Sequence, residues 1–123
     1  MNTFWIIAII AVMIFSLSFQ GRIDPSKARE MKKAGALIID VRTPQEYSAD
    51  GGVRGAVNIP LQLIQDGTAS LPGDMNTAIL VYCRSGSRSS AARQLLIKMG
   101  YTSVENLGSL GSARDIMEKA AAE

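Results

Sequence analysis

The only cysteine of the 123-residue chain, Cys83, lies in the stretch LVYCRSGSRSSAARQLLIKMG at residues 80–100, between an apolar run and an amphipathic segment. The thiol is followed by a short loop of small and basic residues: Arg84, Ser85, Gly86, Ser87 and Arg88. Small residues allow backbone N–H groups to converge, and the N-terminus of a following helix adds positive potential. Together with the two guanidinium charges, this environment favours the thiolate, the nucleophilic form of cysteine. We therefore predict that Cys83 is a catalytic nucleophile and that residues 84–88 bind an anionic substrate.

A second interpretation of this stretch is purely structural. Cysteine is often a small buried side chain, and the two arginines could simply be solvated. The functional interpretation is favoured because Cys83 follows a predicted strand, and parallel α/β sheets bind ligands at the carboxyl ends of their strands.

The composition excludes several other kinds of chemistry. The chain has no histidine and one cysteine, which rules out Ser-His-Asp and Cys-His catalysis, zinc sites of the usual Cys/His type and an internal disulfide. Its 13 Lys and Arg residues are nearly balanced by 11 Asp and Glu, so the net charge of +2 gives no reason to expect nucleic-acid binding. We expect no metal and no other cofactor.

The first 20 residues contain no charged side chain, and residues 4–19 are apolar apart from two serines. As a helix this segment is about 30 Å long, close to the hydrocarbon thickness of a bilayer, although its strictly apolar part is nearer to about 24 Å. We expect residues 1–21 to form a membrane anchor that contacts the bilayer through residues 4–19, followed by one domain over residues 22–123. The alternatives are a cleaved signal peptide, which lacks the usual basic start, and a buried core helix, which lacks a polar face.

The flank after the apolar segment is basic and suggests an orientation. Five positive residues stand there against two acidic ones: Arg22, Lys27, Arg29, Lys32 and Lys33, with Asp24 and Glu30. The positive-inside rule places such a flank in the cytoplasm. We expect a single-pass protein of the inner (cytoplasmic) membrane with its domain facing the cytoplasm. The alternative is a periplasmic domain, after signal cleavage or anchoring.

The remaining sequence alternates between helix and strand signals. Asp24-Pro25 is a typical helix start, Thr43-Pro44-Gln45-Glu46 has the form of a capping box, and helical spacing begins again near Ser87 and Gly111. Four short apolar runs predict strands, at residues 36–40, 56–60, 78–82 and 103–107. Uninterrupted apolar strands are typical of a parallel sheet that is covered on both faces. The predicted fold class is therefore α/β.

Four blocks at this order and spacing resemble the rhodanese superfamily, particularly its short bacterial single-domain sulfurtransferases. The blocks are LIIDVRTPQEY (37–47), GGVRGAVNIP (51–60), LVYCRSGSRS (80–89) and MGYTSVENLGSL (99–110). The resemblance covers about residues 24–115. It implies a doubly wound domain with a central, mainly parallel five-stranded sheet, here preceded by one hydrophobic helix.

The resemblance also implies an activity, in which Cys83 takes sulfane sulfur from a small sulfur-containing anion such as thiosulfate. A Cys83 persulfide would form and pass its outer sulfur to a thiophilic acceptor, cyanide or a thiol. The loop from Arg84 to Arg88 corresponds to the family's anion cradle, with Arg84 and Arg88 as contacts for thiosulfate. Asp40 and Arg42 match the family's supporting residues, the aspartate bracing the catalytic loop and the arginine making ion pairs.

Two alternatives remain open beside this activity. A related branch of the fold acts on phosphate or arsenate through a longer loop whose arginine is six positions after the cysteine, whereas position 89 here is serine. The wider loop suits a tetrahedral phosphoryl group, and the narrower loop suits a persulfide. The other alternative is a non-catalytic, membrane-tethered sulfur carrier or sensor, in which Cys83 holds sulfur for a partner.

Overall fold

The computed structural model describes residues 3–19 and 23–122. The helices are α1 Thr3–Phe19, α2 Pro25–Lys33, α3 Pro44–Asp50, α4 Leu61–Gln65, α5 Ser87–Lys98 and α6 Leu110–Ala122. The strands are β1 Leu37–Asp40, β2 Val57–Asn58, β3 Ile79–Cys83 and β4 Val104–Ser109. From α2 onward helices and strands alternate along the chain, and all of them except α4 were predicted from the sequence.

The strands form one parallel sheet in the order β2-β1-β3-β4. This confirms the α/β class and the four strands predicted from apolar runs. The five-stranded sheet implied by the resemblance is wrong for the described residues, which contain four strands. Beside β4 the chain makes one backbone hydrogen bond, from the Ile23 N–H to the Asn106 carbonyl at 3.0 Å, and a single bond is not a strand ladder. Residues 20–22 lie outside the described part of the chain.

Local capping explains why two of the helices begin where they do. The Asp24 side chain accepts a hydrogen bond from the Ser26 N–H and Pro25 occupies the first turn of α2. At α3, Thr43 and Glu46 form the predicted reciprocal capping box. Helix α4 was not predicted, because its five residues have no side-chain cap and bury only Ile64.

The central strand β3 is buried along its whole length, and its side chains alternate between two faces of the sheet. Leu80 and Tyr82 pack against residues of α2 and α6. Ile79, Val81 and Cys83 pack against residues of α4 and α5. Helices therefore cover both faces, as expected for a doubly wound domain, and the thiol belongs to the face that carries α4 and α5.

Helix α1 has 17 residues, which is about 25 Å of helix and shorter than the roughly 30 Å hydrocarbon layer of a bilayer. No helix in the described residues is both long enough and apolar enough to cross a membrane. The predicted membrane anchor over residues 1–21, with bilayer contact through residues 4–19, is therefore not supported. The predicted domain boundary between residues 21 and 22 lies outside the described residues.

Candidate active site

Cys83 is the last residue of β3 and is completely buried. The chain turns directly after it, because Gly86 adopts a φ of 102° and α5 begins at the next residue. A side chain at Gly86 would be strained at this φ, and its Cβ would lie 3.4 Å from the Cα of Gly108. On the other side of the turn, Ser85 forms an isolated bridge with Ser109 at the end of β4. The catalytic loop, residues 83–88, is thus a tight turn held against β4.

Two donors point at the sulfur atom. The Gly86 N–H donates to Cys83 Sγ at 3.0 Å, and the Ser89 hydroxyl lies 3.4 Å from the same atom. Burial alone raises the pKa of the Cys83 thiol, but hydrogen bonds from the Ser89 hydroxyl and from the backbone of Ser89, Gly86 and Ser85 outweigh it, so the pKa lies below the usual value. This is the direction predicted from the sequence. The chief cause of the lowering is hydrogen bonding, and the charge of Arg88, which the sequence also suggested, makes a smaller contribution.

Ser89 is a site residue that the sequence analysis missed. Its side chain is completely buried, and its hydroxyl also lies 3.0 Å from the Gly86 carbonyl and 3.5 Å from the Gly108 carbonyl. A hydroxyl has one proton, so donation to sulfur competes with donation to these carbonyls. The available signal was its position: a residue in the first turn of a helix that begins at Ser87 can face back toward the preceding loop.

Asn106 on β4 was also missed, and it holds the turn from the other side. Its side-chain amide donates to the Gly86 carbonyl at 3.3 Å and its oxygen accepts from the Gly108 N–H at 2.9 Å. The residue is buried, so these bonds satisfy polar groups that water does not reach. No local signal could have identified it, because Asn106 is 20 residues away from Gly86 and meets it only through strand pairing.

The two arginines of the catalytic loop have different surroundings. Arg84 is exposed, and no hydrogen bond or ion pair is found for its side chain among the described residues. Arg88 is half-buried and makes a bidentate ion pair with Glu46, with Nη1 to Oε1 at 2.6 Å and Nη2 to Oε2 at 2.9 Å. Hydrogen bonding to Arg88 lowers the pKa of Glu46 to about 2, and the same bond raises the pKa of Arg88. Ser85 and Ser87 are exposed, with their hydroxyl oxygens 3.4 Å apart.

The supporting residues Asp40 and Arg42 form a buried ion pair away from the sulfur. Arg42 donates to the Asp40 carboxylate through Nε at 3.0 Å and Nη2 at 2.6 Å, and Nη2 also donates to the Gly51 carbonyl at 2.6 Å. Asp40 is paired in register with Tyr82, whose side chain belongs to the face opposite Cys83. The ion pair expected of Arg42 is therefore present, and it connects β1 to the segment after α3.

This geometry can hold an anionic sulfur atom without a histidine base. Backbone amides and one hydroxyl stabilise negative charge on the thiolate. Arg84, the residue directly after Cys83, carries an exposed positive charge that is available for an anionic ligand.

Comparison with known proteins agrees with these features. A family model described as a rhodanese-like domain matches residues 24–109. Thiosulfate sulfurtransferase PspE of Escherichia coli is 44% identical over 72 residues, which cover 58% of this chain and 68% of PspE. Thiosulfate sulfurtransferase GlpE of Pseudomonas paraeruginosa is 31% identical over 86 residues, covering 70% of this chain and 76% of GlpE.

Two solved structures show the same fold. A rhodanese with anions from E. coli is 40% identical, with a TM-score of 0.56 over 63% of this chain and 91% of its own. The human single-domain sulfurtransferase TSTD1 is 26% identical, with a TM-score of 0.62 over 80% of this chain and 96% of its own. The family model spans well over half of the sequence and includes the complete catalytic loop. The chain therefore belongs to the family of rhodanese-like domains.

Proposed function

We propose that the protein is a sulfurtransferase that moves sulfane sulfur from thiosulfate, or a related anion, to a thiol or cyanide through a Cys83 persulfide. The observation that carries this proposal is the pair of donors on the sulfur, the Gly86 N–H and the Ser89 hydroxyl, in a loop whose hydrogen bonds lower the thiol pKa. Relatives named thiosulfate sulfurtransferase support the same reaction class.

The donor half-reaction uses the Cys83 thiolate as the nucleophile. The thiolate attacks the sulfane sulfur of thiosulfate, a new S–S bond forms, and the bond from that sulfur to the sulfonate breaks. Sulfite leaves with the electron pair, and the Cys83 persulfide carries one negative charge. No proton transfer is needed, which suits a chain that contains no histidine.

The loop residues have separate roles in this proposal. The backbone amides of Ser85, Gly86 and Ser89 hold the charge on the persulfide, as they hold the thiolate. Arg84 attracts the anionic donor, because its guanidinium is exposed and has no carboxylate partner in the described part of the chain. Arg88 lines the same loop, but its charge is already balanced by Glu46. Which side of the inner membrane the domain faces, the cytoplasm or alternatively the periplasm, stays a prediction.

Intact mass spectrometry after thiosulfate treatment tests the reaction class and the residue together. We expect a gain of one sulfur atom that cyanide or a thiol removes, with thiocyanate or a persulfide as the product. Cys83→Ser should abolish both the gain and the turnover and leave the unfolding temperature nearly unchanged, because the two side chains are similar in size. Ser90→Ala, one residue beyond the buried serine, is a matched control that should retain activity.

Other outcomes of this experiment identify the alternatives. A persulfide that forms stoichiometrically but never leaves for cyanide or a small thiol would indicate a sulfur carrier or sensor. Hydrolysis of p-nitrophenyl phosphate without any sulfur gain at Cys83 would indicate a phosphatase and contradict the proposal. Ser89 argues against a phosphatase. It occupies the position at which the phosphate-binding branch has an arginine, and its hydroxyl lies 3.4 Å from Cys83 Sγ.

A further inference from the structure

Glu46 connects the capping box of α3 to the catalytic loop. Its Oε1 atom accepts hydrogen bonds from the N–H and the hydroxyl of Thr43, at 3.3 Å and 3.2 Å. The same oxygen accepts from Arg88 Nη1 at 2.6 Å, and Oε2 accepts from Arg88 Nη2 at 2.9 Å. The carboxylate is therefore held from two sides, and it cannot turn away from Arg88 without breaking the cap of α3.

Arg88 brings a guanidinium close to the thiol, but its charge is not free. A thiolate at Cys83 contributes to the raised pKa of Arg88, so the two groups are near enough to interact. Both terminal nitrogens of the guanidinium already donate to Glu46, in the bidentate geometry that an oxyanion such as sulfate or phosphate would use. The pKa of about 2 keeps Glu46 ionised at neutral pH. An oxyanion that enters the loop thus meets a neutral pair and is repelled by the carboxylate.

Arg84 differs from Arg88 in having no such partner. Its side chain is exposed, and the described residues include no carboxylate bonded to it. Because Arg84 directly follows Cys83, its guanidinium can attract the sulfonate of thiosulfate while the sulfane sulfur meets Cys83 Sγ. The donor therefore does not need the guanidinium of Arg88, and the pairing of Arg88 with Glu46 leaves the productive reaction intact.

We propose that Glu46 is a specificity-determining residue, which occupies Arg88 and so keeps oxyanions without a sulfane sulfur away from the Cys83 thiolate. The inference rests on the proposed function and adds a reason why the loop accepts thiosulfate but not sulfate or phosphate. These anions have no sulfur to transfer, and they would block the nucleophile. Specificity is a difference between affinities, and a fixed repulsive charge lowers the affinity for the wrong ligand. Glu46 touches no reacting atom, so it acts as a positioning residue through Arg88.

Protection of Cys83 from alkylation by iodoacetamide measures oxyanion binding without requiring turnover. The probes are sodium sulfate and sodium phosphate, with sodium chloride keeping the ionic strength constant. Glu46→Gln retains an acceptor for the cap of α3 and removes the charge that balances Arg88. It should lower the half-protecting concentration of each anion about tenfold, equivalent to about 1.4 kcal/mol of binding. Both anions should also become stronger inhibitors of thiosulfate turnover.

Glu105→Gln is the matched control, because it removes the same charge from an ion pair elsewhere. The Glu105 side chain is 23% exposed, as is that of Glu46, and its partners Lys27 and Arg93 lie outside the catalytic loop. This variant should leave protection by both anions unchanged. The double variant Glu46→Gln/Arg88→Gln should lose the tenfold gain, since it has no guanidinium to release. Loosening of α3 alone would not produce this loss.

Two results would overturn the role of Glu46. One is half-protection at the same anion concentrations in Glu46→Gln and the unsubstituted protein, and the other is a gain that survives in the double variant. The proposed function is read separately, from the sulfur gain at Cys83 of the unsubstituted protein after thiosulfate treatment. If that sulfur gain were absent while Glu46→Gln bound both anions more tightly, the sulfurtransferase proposal would fail and the exclusion of oxyanions by Glu46 would stand.

Discussion

The two faces of the sheet each carry an arginine–carboxylate pair, and the two pairs differ in exposure. Arg42 Nη2 lies 2.6 Å from Asp40 Oδ2, and neither side chain is exposed to solvent. Arg88 Nη1 also lies 2.6 Å from Glu46 Oε1, but these side chains are 33% and 23% exposed. The first pair lies on the face opposite the thiol, and the second contributes its arginine to the catalytic loop. The same ionic contact is therefore enclosed by the core in one place and accessible to water in the other.

This difference in exposure separates stability from function. A buried charge that loses its partner costs several kcal/mol, because water cannot replace the lost interaction. A partly exposed pair contributes less, because water screens it and its side chains lose conformational freedom when they pair. We therefore expect the face with Asp40 and Arg42 to lose stability when one partner of its ion pair is removed. We expect changes of charge on the face with Arg88 and Glu46 to have a smaller effect on folding.

The largest expected effect comes from breaking the buried pair. Arg42→Met should lower the free energy of unfolding by about 3–5 kcal/mol, because it leaves the Asp40 carboxylate buried without its partner and the Gly51 carbonyl without its donor. Urea denaturation at neutral pH measures this change. The double variant Asp40→Asn/Arg42→Met, which removes the charge as well, should recover part of the loss. If the single variant were as stable as the double variant, an isolated charge at this position would not be costly.

Local features of the fold could be predicted from the sequence because neighbouring residues determine them. The strand ending at Cys83 is a continuous apolar run, and the capping box of Thr43 and Glu46 is contained within four residues. A lowered thiol pKa was also predicted, from the loop of small and basic residues after the strand. The expectation of a fifth strand came from resemblance alone, and no apolar run in the sequence supported it.

The contacts that complete the site could not be predicted, because they join distant parts of the chain. Glu46 meets Arg88 across 42 residues, and a single sequence gives no pairing between them. The role of Glu46 as a capping residue could be predicted from the sequence, whereas its ion pair with Arg88 could not. The sequence showed a serine at position 89, where the phosphate-binding branch of the fold has an arginine. The hydrogen bond from Ser89 to the sulfur could not be predicted, because it depends on how α5 packs beside β3.

For Ser89→Ala we expect a smaller loss of stability and a clear change in the pKa of the Cys83 thiol. Removing the hydroxyl takes away the side-chain donor to Cys83 Sγ, so the thiol pKa should rise. The rate of iodoacetamide alkylation should then increase at higher pH than in the unsubstituted protein. Loss of one buried hydrogen bond should cost about 1 kcal/mol of unfolding free energy. An unchanged alkylation profile would show that the hydroxyl proton stays on the Gly86 carbonyl, which lies 3.0 Å away.

The smallest effect is expected for Glu46→Gln, which removes the negative charge of the partly exposed pair and keeps an acceptor for the helix cap. At neutral pH the loss of unfolding free energy should be about 0–1 kcal/mol. Because Arg88 lowers the pKa of Glu46 from 4.5 to about 2, the pair contributes fully above about pH 4.5, and its contribution disappears as the pH falls to about 2. Denaturation at a series of pH values should therefore show the two proteins converging in acid. A constant difference across this range would mean that the variant acts through packing or capping, and the contrast between the two ion pairs would lose its electrostatic basis.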